Sequence, residues 1–304
     1  MTSELTSGVY EGWSFSEYAA TPAINAGAIH WGMRSMRHLR AYLQGEIENT
    51  DSTAKKFGRA LHSRIFEPAE YRDRFHVAGQ CAGTYGSGSK KGSVCGKPGK
   101  FVMDEKWFCG QHKPPGVSPV PSDYVSTDEA DRIERIAESL SEHKAAANLL
   151  DRQGPSEASV IWRHNELWLK GRIDRCSGRG ISTDDSPPEI LDLKKCQVGS
   201  ANHADCEKAI YNYNMHRQAA MYVWGIEAVR GTRPNFTWIF VEDGPPYDVC
   251  LVRVDEETLE IGRSEIKHVL RLWTQAVSGG SYPGFSPIVF RGGLPAYARP
   301  ASSP

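Results

Sequence analysis

Apolar residues recur along this chain at two spacings, one helical and one strand-like, and the two alternate. The helical spacing predicts five helices, at Ile24–Leu43, Thr53–Phe66, Thr127–Leu150, Asp205–Glu227 and Glu256–Val277. Short apolar runs predict five strands, at Ala158–Arg163, Leu167–Asp174, Glu189–Lys195, Phe236–Glu242 and Tyr247–Val254. Because helices alternate with groups of strands, we expect an α/β fold with a central mixed sheet flanked by helices.

Residues 79–116 interrupt this regular pattern. The stretch is rich in Gly, Lys and Pro, shows little apolar periodicity, and holds three of the seven cysteines. So long a segment without regular structure is unusual inside a compact domain unless something else holds it together. We therefore predict a single domain over residues 1–304, with an inserted module at 79–116 and an irregular Gly/Pro-rich tail at 279–304.

Composition places the chain among ordinary globular proteins. Apolar residues make up 39% and charged residues 24% of its 304 residues, enough for a large buried core. Lys and Arg number 36 against 37 Asp and Glu, so the net charge is −1. This balance excludes a protein that holds nucleic acid through overall charge alone, but it leaves room for a local basic surface.

The expected compartment follows from targeting signals and cysteine usage. No apolar run approaches the roughly 20 residues of a membrane span. The first residues also lack a basic segment followed by an apolar one, as a secretory signal has. The seven cysteines are odd in number and widely spread, which favours a reducing compartment over a disulfide framework. We therefore expect a cytoplasmic protein.

Two neighbouring predicted strands carry the clearest chemical signal. Asp192 and Lys194 share one strand face, while the intervening leucines point into apolar packing. Asp174 ends the neighbouring strand, so pairing of the two strands brings two carboxylates and one ammonium together. Such a group can hold Mg²⁺ through oxygen ligands and cleave a phosphodiester with a metal-activated water. An ordinary ion pair on a half-exposed strand shows the same D-x-K pattern. The choice between a catalytic site and an ordinary ion pair therefore depends on supporting residues elsewhere in the chain.

Two predicted helices supply these supporting residues. Gln218 and Tyr222 are four residues apart and therefore lie on one helix face. Gly58 and His62 have the same spacing on another helix, and a neutral His62 imidazole can bind a metal ion. Each pair taken alone is also typical of a packed helix.

In chain order these residues read G-x-x-x-H, I-D, D-x-K and Q-x-x-x-Y. This order resembles the PD-(D/E)XK nuclease superfamily, in particular its RecB-like branch and the RecE-like (exodeoxyribonuclease VIII) phage and prophage exonucleases. The resemblance runs from roughly Ala23 to Leu272, apart from the insert. The segments that carry it are Phe57–His62, Phe66–Pro68, Glu157–Trp162, Lys170–Asp174, Leu191–Lys195 and Tyr213–Tyr222.

The resemblance implies a restriction-endonuclease-like core and a deoxyribonuclease that uses Mg²⁺ or Mn²⁺. The implied active site consists of the metal ligands His62, Asp174 and Asp192, the catalytic Lys194, the strand-contacting Gln218 and Tyr222, and Glu157. Glu157 either lies at the edge of the site or simply ends a strand. Many superfamily members have glutamate where this chain has Asp192, which is one methylene shorter but has the same chemistry.

The insert carries a second set of candidate metal ligands. Cys81, Cys95, Cys109 and His112 have the spacing C-x13-C-x13-C-x2-H, which suits a structural tetrahedral Zn²⁺ site. The alternative is a flexible loop with scattered thiols. A zinc ion would explain how a stretch with almost no core stays folded. The remaining cysteines, Cys176, Cys196, Cys206 and Cys250, do not resemble the iron–sulfur arrangement of some superfamily members.

Basic residues on the insert are a candidate DNA contact. Lys90, Lys91, Lys97 and Lys100 are accompanied by only two nearby acids. They either contact the DNA backbone or form a solvated loop, and the basic helix around Arg34–Arg40 presents the same choice.

The resemblance implies an exonuclease that hydrolyses duplex DNA from its ends, in phage-type recombination in the cytoplasm of a bacterial host. Its implied partners are DNA, a phage single-strand annealing protein, and further copies of the chain in a ring. The alternatives are an endonuclease, a Cas4-like end-trimming nuclease, or a zinc-dependent DNA-binding protein with a vestigial site. The intact Asp174, Asp192 and Lys194 argue against the last of these.

Overall fold

The computed structural model describes residues 5–47, 53–119, 123–183, 185–286 and 288. In chain order the strands are β1 (Gly8–Tyr10), β2 (His76–Ala78), β3 (Phe101–Met103), β4 (Lys106–Phe108), β5 (Tyr124–Ser126), β6 (Ser156–His164), β7 (Leu167–Ser177), β8 (Glu189–Cys196), β9 (Asn235–Glu242) and β10 (Val249–Arg253). The helices are α1 (Phe15–Ala20), α2 (Ala26–Gly32), α3 (Met36–Leu43), α4 (Thr53–Phe66), α5 (Pro68–Arg74), α6 (Thr127–Glu142), α7 (Lys144–Leu150), α8 (His203–Asn212), α9 (Met215–Arg230) and α10 (Glu256–Gly279).

Six strands form one central sheet in the order β1-β6-β7-β8-β9-β10. Strands β8 and β9 run parallel, joined by the crossover through α8 and α9, and the other neighbours are antiparallel. The sheet is therefore mixed, and the predicted α/β class is confirmed. Two small two-stranded sheets, β2 with β5 and β3 with β4, lie outside it.

The sheet separates two apolar clusters, and the alternation along β8 shows why. Ile190 belongs to the cluster under α2, α3, α9 and α10, which contains the fully buried Trp162 and Trp238. Leu191 and Leu193 belong to the cluster under α4, α6 and α7. Burying each such side chain contributes about 2 kcal/mol to the free energy of unfolding. Because both faces of the strand are covered, the polar residues on it are forced into the interior.

Three of the predicted long helices are each two shorter helices. Ser35 caps α3 by accepting a hydrogen bond from the His38 N–H, and His143 caps α7 in the same way. Asn214, with φ of 55°, separates α8 from α9 in a left-handed conformation. Apolar spacing continues through these breaks, because both halves of each pair pack on the same core, and so the spacing alone predicts one helix.

The N-terminal segment is tied to the sheet by a buried lysine. Lys170 on β7 donates from Nζ to the carbonyl oxygens of Tyr18, Ala19 and Thr21, at 2.8, 3.1 and 2.7 Å. These carbonyls lie at the end of α1, where helix carbonyls lack intrahelical partners. Sequence spacing predicts neither β1 nor α1, since each is too short to show a period.

The first residue of the predicted tail, Gly279, is the last residue of α10, and the other described tail residues, 280–286 and 288, contain no helix or strand. The rest of the predicted 279–304 tail after α10, residue 287 and residues 289–304, lies outside the described residues. No helix in the described part of the chain has the length and apolar character needed to cross a membrane.

Candidate active site

The site opens where β7 and β8 stop pairing. Their antiparallel ladder covers only three residue pairs and ends at Arg175 and Leu191. Beyond it, the Leu193 N–H donates to Oδ2 of Asp174 at 3.0 Å, so a side chain replaces the backbone acceptor of a neighbouring strand. This bond holds the Asp174 carboxylate beside the segment that carries Asp192 and Lys194. The predicted meeting of the Asp174, Asp192 and Lys194 side chains therefore occurs where β7 and β8 separate.

His62 lies on α4 and reaches this point from the face of the sheet that is covered by α4, α6 and α7. Its Nε2 lies 3.0 Å from the Leu193 carbonyl oxygen, and its Nδ1 lies 3.2 Å from Oδ2 of Asp174. A carbonyl only accepts, so Nε2 carries the hydrogen and Nδ1 faces the carboxylates. Burial by itself lowers the pKa of His62, but the charge and hydrogen bond of Asp174 outweigh it and raise this pKa to about 9. Nδ1 holds this proton in the absence of a metal, and it is the ring atom that would bind a cation once the proton is released.

Glu157 lies opposite Asp174 across the β6–β7 hairpin and points into the same space. Its Oε1 is 3.9 Å from Nδ1 of His62, and its Oε2 accepts a 2.9 Å hydrogen bond from Nε of Arg172. Arg172 is itself fixed by donating to the Trp13 carbonyl at 2.9 Å. Glu157 has φ of 49°, a left-handed conformation that costs a non-glycine residue about 1 kcal/mol. Strain of this kind is concentrated at functional sites.

Asp192 and Lys194 form an ion pair beside this group. Asp192 is fully buried, and its Oδ1 accepts no hydrogen bond from any described residue. Burial raises the pKa of Asp192 to about 6, against the opposing charge of Lys194. The charges of Asp192 and Asp174 outweigh burial at Lys194 and raise its pKa. The lysine therefore stays protonated at neutral pH.

These side chains fit a divalent cation. One ligand atom each from His62, Glu157 and Asp174 lies within 4.8 Å of the others. Two carboxylates and an imidazole are ligands that Mg²⁺ and Mn²⁺ accept, and the unpartnered Oδ1 of Asp192 offers a further oxygen. The structure thus gathers two residues of the predicted set, His62 and Asp174, with Glu157. Asp192, the third predicted ligand, lies outside this 4.8 Å group.

Gln218 and Tyr222 lie on the opposite side of the sheet, on α9. The Gln218 amide donates from Nε2 to the Tyr222 hydroxyl at 3.0 Å. The buried Tyr222 ring packs on Gly171 of β7, where a Cβ atom would lie only 2.9 Å from the ring. Burial raises the pKa of Tyr222 well above its usual value, so the residue acts as a neutral hydroxyl. The position of both side chains therefore depends on a glycine three residues before Asp174.

We expect Gly171→Ala to lower DNA cleavage at least about tenfold and to destabilise the protein by about 1–3 kcal/mol. The added methyl group would collide with a buried ring that cannot move away, and it would shift Tyr222 and Gln218 together. Initial cleavage rates and urea unfolding measure the two effects. The matched control is Gly58→Ala, because a Cβ at Gly58 meets nothing within 4 Å. Equal behaviour of the two variants would contradict this account of Tyr222.

The insert gathers its four predicted ligands into a second group. The Sγ atoms of Cys81, Cys95 and Cys109 and a ring nitrogen of His112 lie within 4.8 Å of one another. Nδ1 of His112 is 3.4 Å from Cys81 Sγ and 3.6 Å from Cys109 Sγ. Such a convergence of residues spread over 32 positions is the arrangement that a metal ion needs. The remaining four cysteines contribute to no such group within the described ranges.

Two residues at the site were missed by sequence reasoning. Arg172 holds Glu157, and Lys170 anchors α1 beside the same strand. Both alternate with Asp174 along β7, so counting back two and four residues from the acid on one strand face would have found them. Their importance is visible only from their partners, which are distant in sequence.

A mixed α/β sheet with acids and a lysine at diverging central strands defines the PD-(D/E)XK class of nuclease-like folds. Residues 30–287 match the family described as a PDDEXK-like domain of unknown function, DUF3799. The chain belongs to this family.

Two solved structures are similar to this chain, and the first of them shares its fold. A predicted exonuclease from Eubacterium rectale superposes with a TM-score of 0.55 at 11% identity, over 92% of this chain and 94% of that one. A phage-related exonuclease from Haemophilus somnus gives a TM-score of 0.35 at 12% identity, over 85% of this chain and 96% of that one. No protein with a curated description matches this sequence significantly.

Proposed function

We propose that this protein is a divalent-metal-dependent deoxyribonuclease that degrades duplex DNA from its ends. The observation that carries the proposal is the convergence of Asp174, Asp192 and Lys194 with His62 and Glu157 where β7 and β8 diverge. Membership of a PDDEXK-like family supports the nuclease chemistry. The resemblance of the motif string to RecE-like enzymes supports the choice of duplex ends as substrate.

Each site residue has a distinct role in this proposal. His62, Glu157, Asp174 and Asp192 would hold Mg²⁺ or Mn²⁺, which supplies charge neutralisation at the scissile phosphate and lowers the pKa of a bound water. Protonated Lys194 orients the attacking water and stabilises the negative charge that develops on the phosphate.

Gln218 and Tyr222 hold the strand through neutral hydrogen-bonding groups. A biological setting in phage recombination, beside a single-strand annealing protein, follows from the same resemblance to RecE-like enzymes.

A comparison of linear and closed circular DNA distinguishes the proposed exonuclease from the alternative functions. Linear and covalently closed circular duplexes are incubated with the protein and Mg²⁺, with a chelator as control. Degradation of the linear form alone is expected. Nicking of the circle would identify an endonuclease instead. Binding of both forms without cleavage would favour a DNA-binding protein with a vestigial site.

We further propose that the insert holds one Zn²⁺ through Cys81, Cys95, Cys109 and His112. Three thiolates and one imidazole form a common structural zinc set, and the ligand atoms already lie within 4.8 Å of one another. No residue of the insert, which the structure describes in full, belongs to either apolar cluster, so a metal would supply much of its folding free energy.

Cys109→Ser is expected to reduce bound zinc from one ion per chain to near zero and to make residues 79–116 sensitive to proteolysis. The loss follows because a serine hydroxyl is a poor zinc ligand at neutral pH. Elemental analysis and limited proteolysis measure the two effects. Cys250→Ser is the control, because Cys250 lies on β10 outside the group. Full zinc content in Cys109→Ser would refute the assignment.

A further inference from the structure

Two tyrosines project from the segment that joins α8 to α9: Tyr211 lies in the last turn of α8, and Tyr213 follows that helix. Tyr211 is 78% exposed and Tyr213 is 74% exposed, more than any other large apolar or aromatic side chain among the described residues. Neither side chain makes a hydrogen bond or a ring contact within the described part of the chain. Exposure alone does not identify a partner, so the surroundings of each ring decide what it can bind.

The two rings face different surroundings. Tyr213 borders a cleft of about 380 Å³ that also contains Gln218 and Tyr222. Tyr211 borders a different groove, whose lining includes both acids and bases: Glu207, Asp255 and Glu265 with Arg217, Arg253, His203 and His216. The first cleft therefore adjoins the residues proposed to hold the DNA strand, whereas the second contains neither Gln218 nor Tyr222.

The lining of the Tyr213 cleft suits a nucleotide. No acidic residue is among the described side chains that line it, and its basic members are His30 and Arg217. Glu265 accepts a 2.6 Å hydrogen bond from Nε of Arg217 and so fixes the guanidinium at the rim. Burial lowers the pKa of His30, and the nearby charges of Arg34 and Arg217 lower it further. Aromatic walls are provided by Tyr18, Tyr42, Tyr213 and Tyr222.

We propose that Tyr213 stacks on an unpaired base of the DNA strand that enters this cleft toward Gln218 and Tyr222. The occupant has a flat π-face for the exposed ring and phosphate oxygens that accept hydrogen bonds from the neutral His30 imidazole and from the Arg217 guanidinium. Stacking on aromatic side chains is tolerant of sequence, as degradation of arbitrary DNA requires. The inference rests on the proposed function and adds that the site receives a separated strand rather than an intact base pair.

Base stacking is tested with the fluorescent base 2-aminopurine, which is quenched when it stacks. The full-length protein is mixed with a duplex that carries 2-aminopurine in a short single-stranded tail, with Ca²⁺ in place of Mg²⁺ to slow hydrolysis. The unaltered protein and Tyr213→Phe are expected to quench the fluorescence, and Tyr213→Ala is expected not to. Tyr211→Ala is the matched control, equally exposed and two residues away, and should quench like the unaltered protein.

Cleavage kinetics in Mg²⁺ provide the second readout. Tyr213→Ala should raise KM about tenfold. It should leave kcat within about twofold, because stacking is made equally in the ground state and the transition state. Quenching by Tyr213→Ala, or equal changes in Tyr211→Ala and Tyr213→Ala, would overturn the inference while leaving the nuclease intact. Tyr213-dependent quenching without any cleavage would support the inference and reject the proposed function.

Discussion

Replacement of Lys194 by alanine is expected to reduce DNA cleavage by at least about a thousandfold. Among the described residues, Lys194 is the only ammonium group paired with the buried Asp192, and neighbouring carboxylates keep it protonated. Without it, no other described cation at the site is placed to orient water beside Asp192. Cleavage is measured as initial rates on a linear duplex with saturating Mg²⁺.

Folding should survive this change. The Lys194 side chain is 22% exposed, and Asp192 can take up a proton once its partner is lost. We therefore expect the free energy of unfolding to fall by no more than about 3 kcal/mol. Lys195→Ala is the matched control, because Lys195 is adjacent, lies on the other face of β8, and pairs with Asp243 at 3.1 Å. Cleavage by Lys194→Ala at the rate of Lys195→Ala would remove the catalytic assignment.

Replacement of Asp192 by asparagine is expected to abolish both cleavage and stabilisation by the metal. The substitution keeps the shape of a fully buried side chain but removes its charge and one of its acceptor oxygens. Binding of a divalent cation stabilises the unaltered protein by about 2.7 kcal/mol at a hundredfold excess over Kd. Thermal unfolding with and without Mn²⁺ should show a metal-induced rise in the unfolding temperature for the unaltered protein and little or none for Asp192→Asn.

The control for this experiment lies directly after β9. Asp243 pairs with Lys195 as Asp192 pairs with Lys194, but it is partly exposed and lies outside the site. Asp243→Asn should therefore keep both the cleavage rate and the rise in unfolding temperature with Mn²⁺. A full Mn²⁺-induced rise in Asp192→Asn would show that Asp192 is not a ligand, even if cleavage were lost.

The strands could be predicted from the sequence because strands that are buried on both faces consist largely of apolar residues. All five predicted strands occur, and the first two of them pair as an antiparallel hairpin around Asn165. The residues at which the helices begin and end were harder to predict. Side chains at Ser35 and His143 interrupt apolar runs by capping the next helix, and a period of 3.6 residues carries no information about a cap.

The residues that gather at the site were predicted in part, and Glu157 shows why only in part. Its carboxylate reaches His62 because the backbone takes a left-handed turn at a non-glycine residue and because Arg172 holds it there. Neither the turn nor the ion pair has a local signature in the sequence. By contrast, the D-x-K alternation on β8 follows directly from strand geometry. The metal-ligand roles of these residues stay predictions.

Release of acid-soluble nucleotides from a uniformly labelled linear duplex tests the central claim most directly. The unaltered protein, Lys194→Ala and Asp192→Asn are purified in parallel and assayed with Mg²⁺ and with chelator. The account predicts release by the unaltered protein in Mg²⁺ only, and none above background by either variant or in chelator. Equal release by the variants, or no release by the unaltered protein, would contradict it.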